Sequence, residues 1–343
     1  MRAVPRLVLA APLVLAALLA FPLVADAQPA PAPPPPPTAE QRALMGHYGS
    51  GLRVVVVLEE GGRLAAWADG RAITLYRTGE RAYAAHGGPA WLGATFAFTP
   101  DSGAARLMRA GDRVFVRRPT GPAEGDVFRI VPLRPVADVI ADARRAGGPP
   151  GNQSGAAHRL VDLARHVAHL RLDIRYATAD NFMGAPLYAS ARAFAQRPAA
   201  DALARVQADL AARGLALVVY DAYRPWYVTK AFWDATPPAQ RGFVAHPAEG
   251  SRHNRGAAVD VGLYALQTGE PVEMPSDYDE FTDRAAVDYA GGSSRARYYR
   301  GVLRAAMRAH GFTPNPTEWW HFDFGDWRSF PLLNLTFEEL GAR

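Results

Sequence analysis

The sequence predicts an α+β chain in which a small all-β module precedes a larger domain of mixed helices and strands. Short β-branched runs broken by turns fill the first third. A breaker cluster, Gly147-Gly148-Pro149-Pro150-Gly151, then interrupts the chain, and helical periodicities alternate with buried strands beyond it. At 343 residues the chain has room for two domains, and with 49% hydrophobic residues it can bury a sizeable core.

Residues 1–27 read as a secretory signal. Arg2 and Arg6 precede an apolar stretch from Leu7 to Val24, and Ala25-Asp26-Ala27 offers small residues for cleavage. The other reading is a retained membrane anchor, because the stretch is nearly long enough to span. Pro12, Pro22 and the cleavage site favour removal, which predicts a periplasmic or secreted protein with no membrane contact after processing. The chain has no Cys, so it offers neither a lipid-attachment residue nor a disulfide. Residues 28–38 are mostly Pro and Ala, an extended linker of polyproline character.

Residues 39–135 form the expected β-module. Strands are predicted over Arg53–Leu58, Ala72–Tyr76, Ala94–Phe98 and Arg113–Val116, with a turn at Gly61-Gly62. This spacing suits an antiparallel meander or a small barrel. No His, Asp or Glu set converges in it, so a binding or spacer role is expected. Residues 136–155 read as a linker carrying a short helix, Val136 to Arg145, and residues 156–343 as the main domain. There, Leu203, Val206 and Leu210 set a helical face over Ala199–Ala212, which ends at Gly214. Leu215–Tyr220 reads as a buried strand, Trp226–Trp233 and Tyr298–His310 as helices, and Trp319–Phe324 as a strand.

The net charge of +5 comes from scattered Arg, without the basic and aromatic interleaving of a nucleic-acid surface, so no nucleic acid is expected as a partner. A Gly-x-Ser-x-Gly nucleophile motif and a Gly-rich phosphate loop are both absent.

The chemistry concentrates near the C-terminus. His253 and Asp260 lie in Ser251-Arg252-His253-Asn254-Arg255-Gly256-Ala257-Ala258-Val259-Asp260, and Glu318 and His321 in Glu318-Trp319-Trp320-His321. Two His and a carboxylate suit a catalytic zinc site that keeps one position open, and a second carboxylate can act as a base. Asn254-Arg255-Gly256 can turn the chain before a strand carrying Asp260. An Asp inside an apolar strand needs a cation or another partner, so an Asp satisfied by backbone donors or an Arg is the competing account. Glu318 and His321 pose a geometric problem. Strand alternation would place them on opposite faces, so both reach one metal only if the chain bends around Glu318 or Trp319. Otherwise Glu318 is a surface residue of an aromatic strand. Arg224, in Tyr220-Asp221-Ala222-Tyr223-Arg224-Pro225, either stabilises an oxyanion or pairs with Asp221. His158, His166 and His169 have charged surroundings and read as a solvated helix face.

The region from about Arg171 to His321 resembles the VanX/DdpX-type D-alanyl-D-alanine dipeptidases, zinc enzymes related to D,D-carboxypeptidases and hedgehog domains. Four segments carry the likeness in order: Arg175-Tyr176-Ala177-Thr178-Ala179-Asp180-Asn181-Phe182, Tyr220 to Pro225, Ser251 to Asp260, and Gly311-Phe312 leading to Glu318-Trp319-Trp320-His321. The resemblance implies an antiparallel sheet flanked by helices. It implies one zinc per chain on His253, Asp260 and His321, with Glu318 as base and acid and Arg224 stabilising the transition state. Tyr176 and Asp279 would hold the substrate's amino end, and Ser251 would line the pocket. The sequence departs from the family pattern at Asn254 and Gly262, where Ser and Thr are usual, and at Glu280-Phe281-Thr282-Asp283. The function this implies is zinc-dependent hydrolysis of D-alanyl-D-alanine or a related D,D-dipeptide. One alternative is a carboxypeptidase or endopeptidase on peptidoglycan stem peptides. Another, of a different class, is a catalytically idle wall-binding module, which would need neither Glu318 nor Arg224.

Overall fold

The computed structural model describes residues 32–100, 103–122, 127–149 and 159–341. The expected signal, the start of the Pro-rich linker, and Pro150, Gly151, Asn152 and His158 lie outside the described residues. Among the described residues no helix is long and apolar enough to cross a membrane.

A short helix, α1 (Ala39–Leu44), leads into eight antiparallel strands. These are β1 (Gly46–Ser50), β2 (Arg53–Glu60), β3 (Arg63–Ala68), β4 (Arg71–Gly79), β5 (Ala82–Ala85), β6 (Thr95–Pro100), β7 (Ala105–Ala110) and β8 (Arg113–Arg118). They follow one another around a closed barrel in which β1 pairs with both β2 and β8. Alternation along each strand fills the interior: Val55 and Val57, Leu64 and Ala66, Ile73 and Leu75, Phe96 and Phe98, Met108 and Phe115 are all buried. The Gly61-Gly62 turn joins β2 to β3 as expected.

The second part contains α2 (Val136–Arg145), β9 (Leu160–Asp162), α3 (Leu163–His166), β10 (Arg171–Leu172), β11 (Phe194–Gln196), α4 (Arg197–Ala211), β12 (Leu215–Asp221), α5 (Trp226–Ala235), β13 (Ala258–Ala265), α6 (Ser294–Ala309), β14 (Phe312–Asn315), β15 (Glu318–Phe324) and α7 (Phe337–Gly341). A five-stranded sheet runs in the order β10-β12-β13-β15-β14, and β9 and β11 form a separate pair. The expectation of an antiparallel sheet needs one correction, because β10 lies parallel to β12. The connection between them passes through β11 and α4, a crossover long enough to return the chain in the same direction.

Strand period sorts the two faces of this sheet. Leu217, Val219, Val259, Val261 and Leu263 enter the main core with α4 and α6, while Ala216, Val218 and Tyr264 cluster on the other face. Asp260 therefore points away from the helix-covered side. Val139 and Ala143 of α2 belong to the same core as Val228 and Ala231 of α5, so the expected linker helix is packed into this domain.

The barrel is fastened to the rest of the fold at the start of α6. Glu59 is buried and its carboxylate accepts from Ser294 N–H and Ser294 Oγ at 2.8 Å, a favourable place for negative charge. Arg297 Nη2 donates to Glu59 O at 2.7 Å, and His47 Nε2 lies 2.9 Å from the Tyr289 hydroxyl.

Candidate active site

His253 opens a short 3-10 turn, His253–Arg255, shaped by its neighbours. Ser251 Oγ accepts from His253 N–H at 3.2 Å, and Asn254 Oδ1 accepts from Ser251 N–H at 2.7 Å. The Asn254 amide then donates to Arg224 O and Thr229 Oγ1, both at 2.9 Å, tying this turn to the start of α5. Gly256 closes the turn at φ 65°, where a Cβ would stand 2.5 Å from Leu160 Cδ2, so the position demands glycine.

Asp260 and His321 are direct cross-strand partners on β13 and β15. The bend that Glu318 requires lies in the pairing of β14 with β15. Pro314 pairs with Phe322, but the next residue, Asn315, pairs with Glu318. One step on β14 thus spans four on β15, and the surplus curls the strand so that Glu318 and His321 share a side. Glu318 Oε2 lies 3.8 Å from His321 Nδ1 and accepts from Asn315 Nδ2 at 2.8 Å.

Three ligand atoms converge. His253 Nε2 is 3.1 Å from His321 Nδ1 and 3.4 Å from Asp260 Oδ1, and His321 Nδ1 is 3.0 Å from Asp260 Oδ1. Ligand atoms about 2.0–2.1 Å from a tetrahedral zinc stand roughly 3.3 Å apart, so the triangle has the right edge. Outer partners fix both imidazole tautomers. His253 Nδ1 donates to Ala222 O at 2.7 Å, and His321 Nε2 donates to Asp323 Oδ1 at 3.0 Å. Each ring therefore turns a lone pair on its other nitrogen towards the same point as the Asp260 carboxylate. Three electron-rich atoms facing one another in a buried place fit a cation. The field agrees. Burial works against a charged His321, yet hydrogen bonds with Asp260 and Asp323 push its pKa up to about 10, so positive charge is favoured here and a proton takes the Nδ1 lone pair unless a metal does. Burial also opposes ionisation of Asp260, but His253 and His321 hold its carboxyl well below the usual range.

Arg224 makes the pair with Asp221 that one of its sequence readings expected. Its Nε and Nη2 donate to Asp221 Oδ2 at 2.9 and 2.7 Å, and the guanidinium also lines the cavity beside the ligand triangle. Burial disfavours its charge, but Asp221 together with Tyr176, Tyr188 and Tyr278 more than offsets this and holds the guanidinium protonated. Tyr188 donates to Asp221 Oδ1 at 2.7 Å, completing a buried chain.

Asp279 adopts φ 58° and is buried, and Tyr176 donates to its Oδ2 at 2.7 Å. Burial pushes the Asp279 carboxyl well up and the Asp260 carboxylate adds to the effect, while the Tyr176 hydrogen bond opposes it. Burial likewise raises Glu318, with His321 pulling the other way. Ser251, Tyr176, Asp279, Glu318, Arg224 and the three ligands all border one cavity of about 260 Å³. That volume suits a ligand below drug size.

Several residues of the site escaped the sequence reading. Tyr278 donates to Asp260 Oδ2 at 3.0 Å, and Asp323 holds His321 while pairing with Arg252 at 3.1 Å. Asp323 could have been found, since it lies two residues beyond His321 on one strand face. Tyr188 and Asn315 had no local signal. His166 and His169 are not among the residues that border the cavity. His166 ends α3 and is held by Asp201 at 2.7 Å, while His169 lies beyond the helix at φ 58° rather than on its face.

A family profile described as the M15 peptidase D-Ala-D-Ala dipeptidase matches residues 156–339. The chain belongs to the M15 D-Ala-D-Ala dipeptidase family. Its relatives include a D-alanyl-D-alanine dipeptidase of Escherichia coli (strain K12), 36% identical over 174 residues, covering 51% of this chain and 89% of that protein. One from Enterococcus faecalis (strain ATCC 700802 / V583) is 33% identical over 178 residues, covering 46% of this chain and 87% of its own length. Another, from Streptomyces coelicolor, is 32% identical over 174 residues, covering 46% and 86%. As an M15 member the chain is a hydrolase of a metallopeptidase family. Every candidate site residue falls within the family region, and the whole barrel lies outside it.

Proposed function

We propose that this chain is a zinc-dependent D-alanyl-D-alanine dipeptidase exported from the cytoplasm. The observation that carries the reading is the lone-pair triangle of His253, Asp260 and His321, with Glu318 and Arg224 bordering the same cavity. These three residues would hold one zinc ion, whose chemistry there is polarisation of a peptide carbonyl and acidification of water.

The remaining work falls to the chain's own side chains. Glu318 accepts the proton from the attacking water as its oxygen joins the carbonyl carbon, then gives that proton to the amine that leaves when the C–N bond breaks. Burial keeps its carboxyl easy to protonate, as a returning acid requires. Arg224, held by Asp221, offers a fixed positive group to the developing oxyanion, so no reorganisation is needed at the moment of reaction. A free dipeptide is a zwitterion. Asp279, oriented by Tyr176, faces the substrate ammonium, which in turn offsets the burial that otherwise favours a protonated Asp279. Ser251 contributes a polar group on the pocket wall while bracing the His253 turn. Arg2, Arg6, the apolar stretch and Ala25-Asp26-Ala27 support export to the periplasm or beyond.

Release of D-alanine from D-alanyl-D-alanine, measured with zinc-loaded and chelated protein, tests the reading. Turnover should require zinc and should fall by about 10²–10⁴ in Glu318→Ala while zinc stays bound. An active Glu318→Ala protein, or zinc-loaded wild type inert on the free dipeptide, would sink it.

A further inference from the structure

The chain leaving the barrel packs behind residues that line the active-site cavity. Phe281 borders that cavity together with Phe182 and Phe243, and it lies two residues beyond Asp279. The Phe281 ring stacks on Phe243 at 4.8 Å and 2° and tilts against Phe182 at 5.2 Å. Its third aromatic neighbour is Phe128, at 5.2 Å and 60°. Phe128 belongs to the segment that joins the barrel to α2, outside the family region.

The same segment grips its surroundings at further points. Ile130 N–H donates to Phe182 O at 2.9 Å, next to another aromatic wall residue, and Leu133 N–H donates to Ala235 O at 2.8 Å at the end of α5. Nearer the barrel, Gly121 lies directly on Glu280, the residue between Asp279 and Phe281. A Cβ on Gly121 would stand 2.6 Å from Glu280 Oε1 and 2.9 Å from its Cδ. Glu280 is itself buried and pinned by Arg284 Nη2 at 2.9 Å. The loop carrying Asp279 and Phe281 is thus pressed at two consecutive residues by chain that comes from the barrel.

We propose that Phe128 is a specificity-determining positioning residue, wedging Phe281 against Phe182 and Phe243 so that the pocket is closed beside Asp279 and admits only the free ammonium end of a short peptide. The inference rests on the dipeptidase reading and deepens it. The barrel segment supplies an outer wall, without touching the reacting atoms, to a site whose chemistry lies wholly in the family region. An aromatic wedge suits this role, because its ring contacts fix a partner ring in orientation as well as distance.

The test uses the full chain, zinc-loaded, with D-alanyl-D-alanine and its N-acetylated form as substrates. Phe128→Ala should raise KM for the free dipeptide about tenfold, leave kcat near wild type, and lose about tenfold of the preference for the free over the N-blocked peptide. Phe128→Tyr should restore both values. Hydrogen exchange over residues 278–284 should quicken in Phe128→Ala, since the loop loses its outer support. If Phe128→Ala fails to fold, Phe128→Leu and Gly121→Val, which presses on the loop from Glu280, carry the same comparison. Wild-type turnover with unchanged KM and preference in the variants overturns the inference and leaves the dipeptidase reading standing. Wild type inert on both peptides sinks that reading instead. In that case, unchanged exchange over residues 278–284 overturns the role of Phe128 separately.

Discussion

Gly262 leaves room for Tyr220. A Cβ on Gly262 would stand 2.5 Å from the Tyr220 hydroxyl oxygen and 3.0 Å from two of its ring atoms. Tyr220 stacks on Tyr278 at 4.8 Å and 22°, and the Tyr278 hydroxyl donates to Asp260 Oδ2. A missing side chain on β13 therefore supports, through two aromatic rings, the orientation of the Asp260 carboxylate two residues away on the same strand. Gly262→Thr should destabilise this chain by about 1–3 kcal/mol through overpacking. Combining it with Tyr220→Ala should recover part of that loss, because the clash is with that ring. Denaturant melts of the two single variants and the double variant measure the coupling, and simple additivity would refute it.

Asp323 governs which nitrogen of His321 faces the ligand triangle. Asp323→Ala removes the acceptor for His321 Nε2–H and frees the ring to change tautomer. Zinc affinity, read by competition with a chromophoric chelator, should fall by about 10–100-fold while the fold persists. Equal affinities in the two proteins would show that the tautomer is fixed by something else.

Among the described residues Asp221 is the sole carboxylate bonded to Arg224, and both are buried. Asp221→Ala leaves a guanidinium in the interior without its counter-ion, which should cost about 3–5 kcal/mol of stability. Tyr188→Phe removes only one hydrogen bond to that carboxylate and should cost about 1–2 kcal/mol. Chemical denaturation orders the two, and a milder effect of Asp221→Ala than of Tyr188→Phe would overturn the assignment.

Much of the fold was legible wherever local pattern and tertiary role agree. The α4 face of Leu203, Val206 and Leu210 is buried, and α2 spans the expected Val136–Arg145. Half the barrel strands were missed for a physical reason. β1, β3, β5 and β7 are rich in Gly, Ala and Arg, residues with little intrinsic strand preference, and they are strands because the closed ladder pairs them. At the site, Asp260 stood out as an acid inside an apolar strand, and His253 and His321 because two His and a carboxylate suit a catalytic metal. The bend at Glu318 could be required but not located, since it arises from a register shift against β14 that no property of β15 alone encodes. Tyr188 and Tyr278 act across distances of 33 and 18 residues in sequence, which leaves no local trace.

The pairing of β1 with β8 has a bearing on any macromolecule this enzyme meets. A barrel sealed in this way exposes no row of unpaired amides, so a stretch of another chain cannot join it by adding a strand. Recognition by this module would have to come from side chains on its outer wall or at its two mouths. Replacing those side chains could redirect what the barrel holds while the ladder beneath stays intact.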